Sequence, residues 1–227
     1  MKKTKWLYAA IPLFVCGLVV AVFPQVDELA YEHEVSGLKD AYVAYADKGA
    51  AKDEEDLLYD RLRRENETLY QTGQAGLTDA FSYEQPAVDL SAYGIEDNCI
   101  GFVSIPCIDM ELPIYLGANT ENMAKGAVHL TQTSYPIGGE NTNCVIAAHR
   151  GTSLVMFRNI HKIEIGDEVT ITNFRGPLTY RATEIRIIDP SDVDAIRIQP
   201  GRDLLTLISC NPLGHNYERY VVYCERV

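Results

Sequence analysis

Cys210 is the candidate nucleophile of this 227-residue sequence. It ends the apolar, β-rich run Leu205–Ser209, and the Asn211-Pro212 pair that follows forces a turn. A thiol at the end of a rigid strand is held in place and can still be reached by a substrate. Because most cysteines are small buried apolar residues, this segment taken alone leaves a structural role for Cys210 open.

The second candidate is His149, which ends the apolar run Val145–Ala148 and precedes Arg150-Gly151. Cysteine becomes a strong nucleophile at neutral pH when a proton acceptor or a cation lies beside it. A histidine that the fold brings beside Cys210 supplies both, although a lone histidine at a strand end is more often a structural residue.

Arg219 is the third candidate and follows Cys210 by nine residues. A turn over Asn211–Glu218 and a strand from Tyr220 would make a hairpin-like return that brings Arg219 beside Cys210. The fixed charge and forked donors of a guanidinium group suit a developing oxyanion. An arginine at a strand start is otherwise usually a solvated surface residue.

These residues need a scaffold, and from Ile100 onward the sequence predicts one made of strands. Many short strands with little helix between them indicate an antiparallel barrel or sandwich, with brief helices around Asn119–Lys125 and Leu154–Ile160. The predicted strands are Ile100–Ile105, Leu112–Leu116, Cys144–Ala148, Glu168–Phe174, Leu178–Ile188, Leu204–Ser209 and Tyr220–Glu225.

The N-terminus predicts a membrane anchor. Lys2, Lys3 and Lys5 precede an apolar run from Trp6 to Val26 that is long enough to span a bilayer as a helix. Basic residues before such a run favour a cytoplasmic N-terminus and an extracellular remainder. A cleaved signal peptide is the alternative interpretation.

The chain therefore divides into four predicted parts. They are residues 1–26, a cytoplasmic tip and transmembrane helix; 27–72, an amphipathic helical stalk or appendage with a break near Gly49; 73–94, a loop; and 95–227, the barrel.

Composition excludes several classes of function. With 20 basic and 32 acidic residues the formal charge is −12, which argues against nucleic acid as a partner. The six cysteines show no C-x-x-C spacing, and five of them scattered over the domain do not form a disulfide framework. The histidines outside the candidate site show no ligand spacing, so the sequence predicts no metal and no cofactor; they are His33, His129, His161 and His215.

Three motifs together resemble the sortases, a family of cysteine transpeptidases. They are Thr-Leu-x-Ser-Cys at Thr206–Cys210, Ala-His-Arg-Gly at Ala148–Gly151, and the downstream Arg219; the resemblance covers roughly Ile95–Val227. The usual sortase signature has threonine where Ser209 stands, so the hydroxyl is kept. Further matching segments are Ile100–Pro106, Leu112–Tyr115 and Pro136–Gly139. The resemblance implies a closed eight-stranded β-barrel with Cys210, His149 and Arg219 as catalytic residues.

Within that family the chain looks most like class C, the pilin-polymerising sortases. The Gly-Gly run before His149 and the Pro-Leu-Gly after Cys210 are typical of that class. Class C enzymes carry a lid with an Asp-Pro-aromatic motif, and Asp79-Ala80-Phe81 resembles it with alanine in place of proline. We therefore call residues 73–94 the lid segment, in which Asp79 would pair with Arg219 and Phe81 would cover the thiol.

The alternative is that this segment is an ordinary polar loop. Class C chains also usually carry a second membrane segment after the barrel, whereas the printed sequence ends at Val227.

The resemblance implies a reaction with two partners, a protein that carries a sorting motif and an amine acceptor. Cys210 would attack a C-terminal sorting motif of a surface or pilin protein near a Thr-Gly bond, and an amine would capture the thioacyl intermediate. In class C the amine is a pilin lysine, and in housekeeping sortases it is a cell-wall peptide amine. Some class A sortases bind calcium, but no carboxylate cluster here requires it. The expected location is the cell membrane, with a single pass and an extracellular catalytic domain.

Two other classes of function are compatible with parts of the sequence. Papain-like hydrolases also use cysteine and histidine, but they place the cysteine first, whereas His149 precedes Cys210 here. A membrane-anchored β-barrel that binds extracellular partners would need no enzyme activity, and its Cys210 would be structural. Labelling with a thiol reagent separates this binding module from a cysteine enzyme, because a buried structural cysteine should not react.

Overall fold

The computed structural model describes residues 3–47, 52–79, 85–151 and 156–227. The chain forms two compact units, Met1–Leu38 and Lys39–Val227. The helices are α1 (Lys3–Asp47), α2 (Lys52–Thr72) and α3 (Thr120–Lys125), with 3₁₀ helices at Leu90–Tyr93, Glu96–Asn98, Pro106–Ile108, Phe157–Lys162 and Val193–Ile196. The strands are β1 (Cys99–Ile105), β2 (Met110–Leu116), β3 (Ala127–His129), β4 (Thr142–Ala147), β5 (Glu168–Asn173), β6 (Gly176–Ile188), β7 (Asp203–Asn211) and β8 (Glu218–Arg226).

The two N-terminal helices bear out the helical prediction. Within α1, Ala10–Ala44 is long and apolar enough to cross a membrane by length and composition. Helix α2 buries Leu58, Leu62 and Asn66, which recur every four residues and so share one face. The predicted break near Gly49 falls at residues 48–51, outside the described part of the chain.

The eight strands close into a barrel in the order β1-β2-β3-β4-β7-β8-β6-β5, which confirms the predicted architecture. The seven predicted strands are present, with ends that shift by one or two residues. The three-residue strand β3 was not predicted, because it is too short to show an alternating pattern. The antiparallel expectation was wrong for two pairs, since β2–β3 and β4–β7 run parallel.

The parallel pairing of β4 with β7 sets the geometry of the barrel rim. Its register runs from Thr142 opposite Asp203 to Ala147 opposite Ile208. At the start of the pair, the backbone N–H of Gly139 donates to Asp203 Oδ2 over 2.9 Å. Because the carboxyl ends of parallel neighbours meet at one edge, the residues that follow both strands lie at the same rim.

Strand β8 returns antiparallel along the other side of β7. The register pairs Leu204 with Glu225 at one end and Cys210 with Arg219 at the other. The structure therefore confirms the predicted hairpin-like return. From Leu204 to Ser209 every residue of β7 is buried, as expected for a strand covered on both faces.

Polar contacts anchor the lid segment to the barrel on both sides of Asp79. Gln74 is buried; its Nε2 donates to Gln132 O over 3.0 Å, and its Oε1 accepts from the backbone N–H of Ile198 over 2.7 Å. On the far side, Thr131 Oγ1 donates to Gln85 O over 2.9 Å. Part of the predicted loop is ordered as the 3₁₀ helix that ends at Tyr93.

Candidate active site

Cys210 lies near the end of β7 with a half-buried side chain. Its Sγ atom is 3.9 Å from Nη1 of Arg219, its cross-strand partner. Burial raises the pKa of the Cys210 thiol, the Arg219 charge lowers it, and the Asp79 charge raises it again. The balance keeps the Cys210 pKa above its ordinary value, so the resting group is a neutral thiol.

The other cysteines of the barrel have different surroundings. Burial raises the pKa of Cys99 and of Cys224 to about 12 each, and also raises the pKa of Cys144. Cys107 is exposed, and partial desolvation together with the Asp167 carboxylate raises its pKa to about 11. A thiolate is therefore hard to form at these positions, whereas Cys210 has a guanidinium group beside its sulfur.

His149 follows the end of β4 at the rim where Cys210 lies. The β4–β7 register ends at Ala147 opposite Ile208, and continuing it by two residues places His149 opposite Cys210. Its carbonyl oxygen accepts from the Phe157 N–H over 3.0 Å. The His149 side chain is exposed, but neighbouring atoms exclude enough water to hold its pKa below the ordinary value. The imidazole is therefore neutral near pH 7.

Arg219 is held in a two-pronged contact by Asp79. Its Nε donates to Asp79 Oδ1 over 2.9 Å, and its Nη2 donates to Oδ2 over 2.7 Å. The side chains are 5% and 25% exposed. The remaining nitrogen, Nη1, donates to the carbonyl oxygens of Asn216 and Glu218 over 2.8 and 3.0 Å. The structure thus brings Asp79 to Arg219, whereas Phe81 lies in residues 80–84, outside the described residues.

Sequence reasoning missed the role of Arg150, although it quoted this residue within the Ala-His-Arg-Gly motif. Its side chain is buried, and Nη1 donates to Asn211 Oδ1 over 2.7 Å. Asn211, which the sequence indicated only as a turn residue, also donates from Nδ2 to Glu218 Oε2 over 2.7 Å. These contacts form beside Cys210, because β7 and β8 bring Asn211 and Glu218 opposite each other.

The described residues include no group of three or more histidine, cysteine, aspartate or glutamate side chains that could hold a metal ion. The rim carries a thiol, an imidazole and a guanidinium group. That set suits attack on a carbonyl carbon, stabilisation of the oxyanion and protonation of a leaving group.

The chain is similar to known sequences and to solved structures. The chain is 33% identical to sortase D of Bacillus subtilis over 130 residues, which is 56% of this chain and 63% of that protein. It is 30% identical over 131 residues to sortase A of Streptococcus agalactiae, covering 56% of this chain and 52% of that protein. The chain thus spans less than two thirds of the length of either relative.

Solved structures extend the likeness beyond the barrel. A crystal structure of Streptococcus agalactiae sortase C1 matches with a TM-score of 0.73 and 30% identity, over 86% of this chain and 95% of that chain. Sortase C from Clostridium perfringens matches with a TM-score of 0.70 and 28% identity, over 83% and 97%. The family model described as "Sortase domain" matches residues 103–227, more than half of the chain. The chain therefore belongs to the sortase family, with class C sortases among its structural neighbours.

Proposed function

We propose that this protein is a membrane-anchored transpeptidase that cleaves a C-terminal sorting motif and joins the acyl fragment to a pilin lysine. The observation that carries the proposal is the meeting of three strand ends at one rim. There Arg219 lies 3.9 Å from the sulfur of Cys210, and His149 continues the strand beside it. Family membership supports the reaction class, and the geometry of the rim supports the roles proposed for the three residues.

The first half of the reaction forms a thioester. The Cys210 sulfur attacks the carbonyl carbon of the scissile Thr-Gly type bond as its proton passes to His149. The carbonyl oxygen becomes an oxyanion, which accepts hydrogen bonds from Arg219. His149 then gives the proton to the leaving amine, the C–N bond breaks, and the acyl group remains on sulfur.

The second half transfers the acyl group. The side-chain amine of a pilin lysine attacks the thioester carbon and gives up a proton to His149. The C–S bond breaks as the second oxyanion collapses, and the proton returns to the Cys210 sulfur. The product is an isopeptide bond, and the enzyme regains its neutral thiol.

Asp79 would act in this cycle as a removable plug. Its carboxylate occupies Nε and Nη2 of Arg219, while Nη1 is engaged by the carbonyl oxygens of Asn216 and Glu218. A substrate oxyanion needs donors of this kind, so Asp79 has to leave before Arg219 can serve. Departure of Asp79 also removes a negative charge that raises the pKa of Cys210, so opening would activate the thiol as well.

The choice of a pilin lysine rests on likeness to the sortase C structures. That likeness covers 86% of the chain and so extends into the residues before β1, where the lid segment lies. The curated relatives are named sortase D and sortase A, and this observation favours the second candidate, attachment of surface proteins to a cell-wall peptide amine.

The proposed location is the cell membrane, with a single pass through α1 and the barrel outside the cell. The part of α1 from Ala10 to Ala44 contains a window that is apolar enough to cross a membrane, which supports a membrane span. The three lysines before residue 6 favour a cytoplasmic N-terminus.

The test is an acyl-transfer assay with the full chain in detergent micelles. Donor peptides share a Thr-Gly bond, and two acceptors compete: an N-acetylated peptide with one lysine, and a cell-wall peptide amine. Mass spectrometry should find the donor fragment on the lysine side chain. Transfer only to the cell-wall peptide would select the housekeeping alternative. An absence of cleavage with every donor would contradict the transpeptidase and favour the binding module.

A further inference from the structure

The backbone pairing of β4 with β7 stops before it reaches His149 and Cys210. The last paired residues are Ala147 and Ile208. Beyond them, the Ala148 N–H donates to Ile208 O over 3.4 Å, which is long for a backbone hydrogen bond. Strand pairing therefore brings the two candidate catalytic residues near each other without fixing their separation.

At this point, two side-chain hydrogen bonds connect the segment that follows β4 with the end of β7. Ser209 Oγ, one residue before Cys210, donates to Ala148 O over 2.6 Å, one residue before His149. Arg150, one residue after His149, donates from Nη1 to Asn211 Oδ1 over 2.7 Å, one residue after Cys210. Nη1 also lies 3.5 Å from Cys210 O. The two side-chain hydrogen bonds thus bracket the His149–Cys210 pair.

Arg150 is built into the rim. Its side chain is only 8% exposed, and its guanidinium carbon lies 5.1 Å from the centre of the Tyr220 ring. Asn211, which accepts from Arg150, is itself held by Glu218 through the 2.7 Å bond from Nδ2. Arg150 is therefore tied to β7 through Asn211 and to β8 through Tyr220.

Burying a guanidinium group is less favourable than burying an apolar side chain of similar volume. Removing its charge from water costs free energy, and burial lowers the pKa of Arg150 accordingly. Apolar residues of similar volume often replace buried charges without loss of stability. A buried charged side chain whose Nη1 donates to Asn211 points to a need for a directional hydrogen bond at this place.

We propose that Arg150 is a positioning residue. It connects the segment that follows His149 to the end of β7 around Cys210, and so holds the imidazole within reach of the thiol. The inference rests on the proposed function for what the His149–Cys210 pair does. Arg150 acts through geometry, because the charges that shift the pKa of Cys210 are those of Arg219 and Asp79. Its contacts are with Asn211, the Cys210 carbonyl and Tyr220, so it acts through its neighbours.

The test substitutes Arg150→Met, which keeps the length and removes the donors, and Arg150→Lys, which keeps a charge and loses the fork. The matched controls are Arg226→Met and Arg226→Lys. Arg226 also lies over a tyrosine ring, with its guanidinium carbon 5.3 Å from the centre of Tyr180, and it donates to Thr179 O over 3.3 Å. Thermal unfolding of the full chain in micelles identifies the variants that fold.

The main readout is the rate at which iodoacetamide alkylates Cys210 at pH 7, which requires no substrate peptide. The rate is measured in wild type, His149→Ala, Arg150→Met and the double variant. A positioning role predicts that each single change slows alkylation about 5- to 50-fold and that the double variant is no slower than His149→Ala. The Arg226 variants should react like wild type.

Other outcomes each overturn the inference. If the Arg150 and His149 effects multiply, the two residues act independently. If folded Arg150→Met reacts like wild type, Arg150 does not position the pair. If His149→Ala alone leaves the rate unchanged, there is no His149–Cys210 pairing for Arg150 to hold. Where Arg150→Met fails to fold, the same cycle with Arg150→Lys decides.

Turnover separates this inference from the proposed function. The positioning role predicts that Arg150→Lys lowers kcat about tenfold or more while KM stays within about twofold, because the substrate is not contacted. If the effects of the two substitutions on alkylation are non-additive but the protein transfers no acyl group, Arg150 has the positioning role and the proposed transpeptidase function is wrong. Additive alkylation in an active transpeptidase would show the reverse.

Discussion

Two forked arginine–carboxylate pairs stand at opposite ends of the β7–β8 strand pair. At one end Arg202 donates to Glu225 from Nε over 3.2 Å and from Nη2 over 2.8 Å. At the other end Arg219 grips Asp79 with the same two nitrogens. The pairs share their chemistry and differ in their surroundings.

The Arg202 and Glu225 side chains are 36% and 43% exposed; Arg202 directly precedes β7, and Glu225 lies in β8 opposite Leu204. Such a pair contributes little to stability and has no reason to open. Arg219 is only 5% exposed, and its carboxylate partner comes from a segment 140 residues away in sequence. Because no strand pairing holds Asp79, the rim pair can part while the barrel stays intact. We infer that the Arg202–Glu225 pair is a fixed part of the barrel edge, whereas the Arg219–Asp79 pair separates during the reaction.

The largest expected effect comes from replacing the cysteine at each end of the β7–β8 strand pair. Cys210→Ala should abolish transpeptidation because it removes the sulfur that carries the acyl group, while the fold remains. Cys224→Ala, placed opposite Leu205 toward the other end, should keep near wild-type kcat. Peptide-transfer rates and unfolding temperatures of both variants check this. Activity in Cys210→Ala would overturn the assignment, as would an essential Cys224 in a folded variant. His149→Ala should also inactivate.

The two arginines should respond differently to the same substitution. Arg219→Lys keeps the charge and loses the planar fork, so kcat should fall about 100-fold if the guanidinium group binds the oxyanion. Arg202→Lys should leave kcat within about twofold, because only a surface pair is altered. Steady-state kinetics with one donor peptide measures both. Near-normal turnover in Arg219→Lys would show that charge alone suffices or that Arg219 is outside the site.

Neutralising each carboxylate should affect Cys210 at one end of the strand pair only. Asp79→Asn should speed alkylation of Cys210 about tenfold, since losing hydrogen bonds to a charged group weakens the closed state by about 1.4 kcal/mol. Asp79→Ala/Phe81→Ala should react at least as fast, whereas Glu225→Gln should react like wild type. The rates come from mass spectrometry of the labelled Cys210 peptide. Equal rates in wild type and the folded double variant would mean that the lid segment does not cover the thiol.

The smallest effect is a shift in pH dependence. Asp79 raises the pKa of Cys210, because a nearby negative charge disfavours the thiolate. Asp79→Asn should therefore move the midpoint of the alkylation profile to lower pH, and Glu225→Gln should leave it in place. A profile measured from pH 6 to 10 checks the direction. A midpoint that stays or rises in Asp79→Asn would show that the carboxylate does not act on this thiol.

The sequence predicted much of the barrel and the ends of its strands. Alternating or apolar runs between turn signals indicate β7 and β8, and their short connection predicts that Arg219 returns to Cys210. The β4–β7 pairing could not be predicted in this way. Parallel neighbours are joined by a long connection, which here contains β5 and β6, so periodicity says nothing about which strands pair.

The same limit explains what was found and missed at the site. The contact of Asp79 with Arg219 was predicted because a family motif marks Asp79, although the two residues are 140 positions apart. No motif marks the role of Arg150. Its burial depends on Asn211, 61 positions away, and on the Tyr220 ring, neither of which a local pattern connects to His149.

The proposed function requires that Cys210 carries the acyl group. The most direct measurement is mass spectrometry of the full chain after brief exposure to a donor peptide with a Thr-Gly bond and no acceptor. If Cys210 carries the acyl group, the protein should gain the mass of the fragment that ends at threonine. This adduct should map to the Cys210 peptide and be released by hydroxylamine as a hydroxamate. An adduct on another cysteine, or cleavage of the donor by Cys210→Ala, would contradict it.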